Sequence, residues 1–202
     1  IDHFFYPYGT TTDGPIEFPD DKSYEHYVHN RGHLRRADWR RDNINRFIER
    51  LYREIKRRKS WVKFGISPFG IPRPGVPSYA RGFDPYERNY ADAPLWLRRG
   101  WCDYMVPELY WKTGAPHQPF LGLLQWWIDP ENNPKGRRIY ACLCTSKIDS
   151  SPTSWSPDEI AGQVMITRMT PGATGHVHFS TRALAQNRKG IADLLVNELY
   201  TD

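Results

Sequence analysis

Residues 43–69 read NINRFIERLYREIKRRKSWVKFGISPF and join two patterns with different periods. Apolar side chains recur every three or four residues in the first part, which predicts an amphipathic helix over Asn43–Arg58 with Asp42 as its N-cap. We expect its stripe to be buried against neighbouring strands, in particular Phe47, Ile48, Leu51 and Ile55. The second part predicts a short strand over Val62–Phe69 that the following glycine ends.

The same alternation of helix and strand repeats along the chain. Strand patterns lie at 1–6, 103–111, 139–147 and 175–180, and helical patterns lie at 93–99, 119–128, from Ser156 onward and at 190–199. Strands that alternate with helices pair in parallel. Short strands followed by long loops, such as the polar stretch 9–22, favour a (β/α)8 TIM barrel, in which function lies at the carboxyl ends of the strands. The alternative, a doubly wound open sheet, usually carries a glycine-rich phosphate turn, and the sequence has none.

The number of strands predicts that these residues form part of a larger barrel. The pattern gives five strand ends and four helical returns, whereas a closed barrel has eight of each. We therefore interpret residues 1–202 as a single domain that holds strands four to eight. A parallel sheet needs its remaining strands to close, so we expect the N-terminal part of the same barrel, or a second copy of the chain, as a partner.

Charge and cysteine content bear on other classes of protein. The 28 Lys and Arg residues exceed the 23 Asp and Glu residues, but they concentrate in runs at 31–41 and 50–59. The second run lies on the polar face of the predicted helix, so a solvated face is a better interpretation than a nucleic-acid surface. Cys102, Cys142 and Cys144 have no metal-ligand spacing, and we expect buried free thiols, no metal and no cofactor. No apolar run approaches the roughly 18 residues that span a membrane.

Several segments together resemble a known family. They are Ile1–Gly9 (IDHFFYPYG), Val62–Gly70 (VKFGISPFG), Trp101–Trp111 (WCDYMVPELYW), Trp126-Trp127 and Gly175–Leu184 (GHVHFSTRAL). Their order and spacing are similar to those of the bacterial glycosyl-hydrolase-like 10 family, which is distantly similar to family-ten glycosidases. The resemblance implies a TIM barrel, an extracellular or cell-envelope (periplasmic) location, and action on a polysaccharide or glycoconjugate.

The chain departs from this family pattern at two positions. Relatives carry paired acids at the end of strand four, in a run similar to Asp-Asp-Tyr-Phe-Tyr-Pro. Here Asp2 matches the first acid and His3 stands at the second position. The strand-six run of relatives often has Gln before Leu-Tyr-Trp, where this chain has Glu108.

Glycoside hydrolysis needs two carboxyl groups beside the scissile bond. Asp2 and Glu108 end strands and are the candidate catalytic pair. The alternatives are a capping or loop-ordering role for Asp2, and for Glu108 a role as the buried partner of an Arg or a backbone amide. Candidate substrate-binding residues lie at other strand ends, where aromatic rings and hydroxyl, amino or imidazole groups can contact sugars. These are His3, Tyr6, Tyr8, Ser67, Tyr110, Trp111, Lys147 and Ser180. Trp127 follows an apolar stripe and is interpreted as core.

Three functions are compared on these grounds. A glycosidase that acts on a carbohydrate substrate is the leading hypothesis, and whether it retains or inverts configuration depends on the separation of the carboxyl groups. A carbohydrate-binding barrel without hydrolytic activity is the alternative, which His3 favours. A nucleic-acid binder would show a steep salt dependence of its affinity, and we expect none. The sequence lacks the motifs of serine hydrolases, zinc proteases and nucleotide enzymes.

Overall fold

The computed structural model describes residues 1–2, 5–7 and 16–201. Four parallel strands form one sheet in the order of the sequence, namely β1 (Gly65–Ile66), β2 (Tyr104–Met105), β3 (Arg138–Leu143) and β4 (Gly175–His178). A parallel bridge between Asp2 and Ser67 adds a fifth segment beside β1. This architecture is mixed α/β and is compatible with part of a TIM barrel.

Helices separate the strands along the chain. They are α1 (Asp21–His29), α2 (Arg36–Arg58), α3 (Pro85–Arg88), α4 (Ala93–Arg99), α5 (Phe120–Ile128), α6 (Pro157–Met169), α7 (Thr181–Ala185) and α8 (Ile191–Leu194). Short 3-10 turns lie at Thr145–Lys147 and Arg188–Gly190, and a π-helical turn at Leu195–Leu199 continues α8. Among the described residues, none of the helices is both long and apolar enough to cross a membrane.

Helix α2 is longer than its apolar stripe predicts. It begins at Arg36, so Asp42 is not its N-cap but lies inside the helix, 2.8 Å from Arg46. Ile48 is fully buried and Leu51 and Ile55 are half-buried, as expected, but Phe47 is 51% exposed. The prediction for Phe47 was wrong because the buried face runs through Ile44 and Ile48, which leaves Phe47 at its margin against the ring of Phe5.

Helix α1 lies where the apolar spacing predicts no helix, because none of its residues is buried. Asp20, just before it, is only 6% exposed and fixes the helix to α2. Its carboxylate accepts hydrogen bonds from Arg36 at 3.1 Å and from Arg40 at 2.7 Å. These bonds, that of Arg40 above all, hold the pKa of Asp20 below its usual range.

The core lies between the sheet and the helices on its outer side. Met105 on β2 and Ile139 on β3 are fully buried there and pack against helical residues. Trp96, Leu97, Phe120, Leu123, Leu124, Trp127, Ile160 and Val164 supply the helical side of this core. Helix α6 begins as predicted, because the Ser156 hydroxyl accepts a hydrogen bond from the amide of Asp158 and Pro157 occupies the first turn.

Candidate functional site

The carboxyl ends of the strands meet at one edge of the sheet. Beyond the regular strands, single parallel bridges join Asp2 to Ser67, Phe69 to Glu108, and Glu108 to Cys142. Parallel strands bring their carboxyl ends together, and these bridges therefore gather two candidate acids, Asp2 and Glu108, at the same edge.

Glu108 is half-buried at the end of β2. The Ser67 hydroxyl lies 3.4 Å from its Oε1 and also donates to the carbonyl of Val106 at 3.0 Å. Burial, followed by the negative charge of Asp2, raises the pKa of Glu108 to about 8, and the hydrogen bond from Ser67 opposes that rise. A carboxyl group with this pKa holds its proton at neutral pH and can donate it.

Two aromatic rings stack on each other at the ends of β2 and β4. The hydroxyl of Tyr110 is 3.3 Å from the Cys142 sulfur, and its ring stacks on Phe179 with centroids 5.6 Å apart and planes 29° apart. Phe179 is 52% exposed although it immediately follows β4. Phe179 is not among the site residues predicted from the sequence, although its position at a strand end within the GHVHFSTRAL segment is a signal that could have indicated it.

An open cleft of about 960 Å³ lies next to these rings. Tyr110 and Trp111 line it from the end of β2, and the exposed Lys147 lines it from the end of β3. Trp155 and Glu159, neither of which was predicted as a site residue, close its other side. Three residues of the predicted set therefore share one cleft.

The remaining candidates lie elsewhere or outside the described part. Tyr6 lines a separate pocket of about 140 Å³, where its ring contacts Phe18 and Tyr90 and lies below Arg40. Ser180 precedes α7 as its N-cap residue and follows Phe179 through a cis peptide bond. The predictions for His3 and Tyr8 concern residues outside the described ranges.

The thiols match the expectation of buried free cysteines. Cys102, Cys142 and Cys144 are all unbridged and buried. Burial raises the pKa of Cys102 to about 12 and that of Cys142 to about 11, so both thiols keep their protons. Within residues 1–2, 5–7 and 16–201, no three His, Cys, Asp or Glu side chains are grouped as metal ligands.

Comparison with known proteins identifies a matching family. The family described as "Glycosyl hydrolase-like 10" matches residues 1–158. This range includes Asp2, Glu108, Trp111 and Lys147, and ends in the first turn of α6.

Two curated proteins are similar over most of these residues. The chain is 35% identical over its whole length to "Glycosyl hydrolase YngK" of Bacillus subtilis, of which it covers 40%. It is 29% identical over 89% of its length to "Glycosyl hydrolase DigH" of Escherichia coli, of which the aligned part is 42%. The chain thus spans about two fifths of the length of these relatives.

Proposed function

The chain belongs to the glycosyl hydrolase-like 10 family, and we propose on that premise that it supplies the catalytic carboxyl groups of a glycoside hydrolase acting on a polysaccharide or glycoconjugate. The observation that carries the proposal is the raised pKa of Glu108 at the strand edge that also holds Asp2. Two carboxyl groups with different environments are what acid-assisted glycoside cleavage requires.

We propose that the sheet is the arc of a (β/α)8 barrel that holds strands four to eight. The parallel pairing in sequence order supports this proposal, as does the helix that follows each strand. Val177, on the last strand of the sheet, is 43% exposed, as expected for a side chain on a face of the sheet that the remaining strands of the barrel would cover. Strands one to three would close the barrel, from the N-terminal part of the same polypeptide or, as the alternative, through a second copy of the chain.

In the proposed reaction Glu108 is the general acid. Its carboxyl proton moves to the glycosidic oxygen as the bond from that oxygen to the anomeric carbon breaks. Asp2 acts on the opposite side, either by attacking the anomeric carbon or by taking a proton from the water that attacks it. Asp2 is exposed, and its charge contributes to the raised pKa of Glu108, so the two groups divide the acid and base roles.

The aromatic residues would bind the sugar. The exposed ring of Phe179 stacked on Tyr110, and the ring of Trp111 in the adjacent cleft, offer apolar faces for the C–H groups of a pyranose. Lys147, exposed in the same cleft, would donate hydrogen bonds to sugar oxygens. Ser67 would orient Glu108. His3, Tyr6, Tyr8 and Ser180 remain proposed contacts of the same substrate.

The proposed location is outside the cell or in the cell envelope. A polysaccharide or glycoconjugate of that compartment is then the substrate. Fractionation of cells that express the full-length protein tests this point, and recovery of the protein in the cytosolic fraction would contradict it.

The test of function measures reducing ends released from cellohexaose, xylohexaose and chitohexaose by the full-length protein in which these residues occur. We expect Glu108→Gln to lower the rate by about 10²–10⁴-fold, the usual contribution of a general acid. Glu131→Gln is the matched control, because Glu131 is an exposed carboxylate in the turn after α5. Equal rates for Glu108→Gln and the unsubstituted protein would overturn the role of Glu108. Binding of the oligosaccharides without hydrolysis would identify a non-catalytic carbohydrate-binding barrel instead.

A further inference from the structure

Helix α6 holds the loop that follows β2. The carboxylate of Glu159 accepts a hydrogen bond from the backbone amide of Thr113 at 2.7 Å. The side-chain amide of Gln163 donates to the same carboxylate and to the carbonyl of Trp111, both at 3.0 Å. Gln163 is fully buried. The side chains of Glu159 and Gln163, one turn apart on α6, therefore hold the backbone on both sides of residue 112.

The ring of Trp111 also lies close to Gly70. A Cβ atom at Gly70 would lie 2.9 Å from Cζ3 of Trp111 and 2.3 Å from the carbonyl oxygen of Glu108. Only glycine leaves room for both groups. Gly70 is itself held by Trp127, whose indole nitrogen donates to its carbonyl at 2.8 Å. The position of the Trp111 ring thus depends on the contact with Gly70 and on the backbone that α6 fixes.

We propose that Glu159 and Gln163 are positioning residues that hold Trp111 as a sugar-binding platform beside Glu108. The inference rests on the proposed carbohydrate-binding function. Glu159 lines the cleft. Because its carboxylate accepts hydrogen bonds from Thr113 and Gln163, we give it a structural role and no part in the chemical step. A carboxylate suits this role because charge-assisted hydrogen bonds are stronger than neutral ones, and because it lies in the first turn of α6.

The experiment measures binding of cellohexaose and chitohexaose by calorimetry to the full-length protein in the Glu108→Gln background, so that the sugars are not hydrolysed during the titration; the unsubstituted reference below is this background. We expect Trp111→Ala and Glu159→Ala each to raise Kd by about tenfold, and Glu159→Gln to restore part of the affinity because its amide oxygen can accept from Thr113. The double variant should bind as Trp111→Ala does, because Glu159 acts through that ring. Asp158→Ala is the matched control: it removes an exposed carboxylate from the same helical turn, one that bonds only Ser156 among the described residues.

Hydrogen exchange in the peptide that covers residues 110–114 gives a measurement that needs no ligand. Glu159→Ala and Gln163→Met should speed exchange there, whereas Asp158→Ala should leave it unchanged. If Glu159→Ala does not fold, Gln163→Met tests the same loop.

Three results would overturn the proposal: tight binding by Trp111→Ala, no binding of either hexamer to the unsubstituted protein, or an equal further loss when Glu159→Ala is added to Trp111→Ala. The first and third results leave the hydrolysis test on Glu108→Gln unaffected, and after the second result xylohexaose still tests hydrolysis. Failure of the platform and failure of the proposed hydrolase are therefore distinguishable.

Discussion

The hydroxyl of Ser67 lies 3.4 Å from Oε1 of Glu108, although 41 residues separate them in the sequence. Ser67 follows β1 and Glu108 follows β2, and Ser67 also pairs with Asp2 on its other side. The parallel sheet thus places a hydroxyl group between the segments that carry the two candidate acids.

The pKa of Glu108 predicts the pH dependence of the reaction. A general acid must carry its proton, and the pKa of Glu108 is raised to about 8. We therefore expect kcat/KM to fall as the pH rises through about 8. Asp2→Asn removes a negative charge that favours the protonated form, so the pKa of Glu108 should decrease in this variant. A carboxyl-13C titration of the labelled protein measures that pKa even if Asp2→Asn is inactive, with Glu108→Gln to assign the signal. An unchanged pKa in Asp2→Asn would show that Asp2 lies too far away to act with Glu108.

Gly70 lies where the site has no room for a larger side chain. In Gly70→Ala the new methyl group would meet the backbone of Glu108 and the ring of Trp111, and the end of β2 must move to relieve the overlap. We expect a loss of about 1–3 kcal/mol in the free energy of unfolding, the usual cost of overpacking, together with weaker glycan binding. Gly114→Ala is the control, since a Cβ atom there meets no atom within 4 Å. Urea unfolding measures the difference, and similar stabilities of the two variants would contradict the contact.

How much the sequence could predict differs between the fold and the site. The alternation of periods predicts the strands and the helices between them, because each element buries one face and so repeats apolar residues. Positions at strand ends predict Tyr110, Trp111 and Lys147, which share the cleft. Periodicity does not predict contacts between distant elements, and the hydrogen bond from Thr113 to Glu159 is of that kind.

The same limit explains the errors. Phe47 fits the apolar spacing, but its exposure depends on how α2 is rotated against α4 and the sheet, which is a property of the tertiary structure. Phe179 looks like one more alternating residue of a strand, and only its stacking on Tyr110 marks it as part of the site. The sequence also does not reveal that Tyr6, at a strand end, packs with Tyr90 in a pocket separate from the cleft, and its contact with the substrate stays a prediction.

Ile48 and Phe47 are neighbours in α2, but replacing each of them with alanine should lower the free energy of unfolding by different amounts. Ile48 is fully buried in the core and Phe47 is 51% exposed. We expect Ile48→Ala to lower the free energy of unfolding by about 2–5 kcal/mol, because it leaves a cavity. Phe47→Ala should cost less, since its half-exposed ring packs edge-on against Phe5 at the margin of the core. Thermal and urea unfolding of the two variants compare these costs, and a larger loss for Phe47→Ala would mean that α2 packs on its other face.

The two histidines of β4 share one hydroxyl group. The Tyr200 oxygen lies 2.7 Å from Nε2 of His176 and 3.1 Å from Nε2 of His178. The hydroxyl has one proton, so it donates to one ring and accepts from the other, and the ring that accepts its proton must have an unprotonated Nε2. Burial, with His176 nearby, lowers the pKa of His178 to about 4. Burial and the charge of Arg168, whose guanidinium lies over the Tyr200 ring, lower the pKa of His176.

These two imidazoles predict a loss of stability in mild acid. The unfolded chain binds a proton at His178 near pH 6.5, whereas the folded protein binds it only near pH 4, so the free energy of unfolding should decrease as the pH falls through this window. His178→Asn keeps a neutral polar side chain without the titration, and its stability should decrease less between pH 7 and pH 4.5 in urea unfolding. Tyr200→Phe should already be less stable at pH 7, by about 0.5–1.5 kcal/mol, because it removes the partly exposed hydroxyl that both rings use. If the unsubstituted protein and His178→Asn lost the same stability over this range, the acid sensitivity would come from other groups and the shared hydroxyl would not control it.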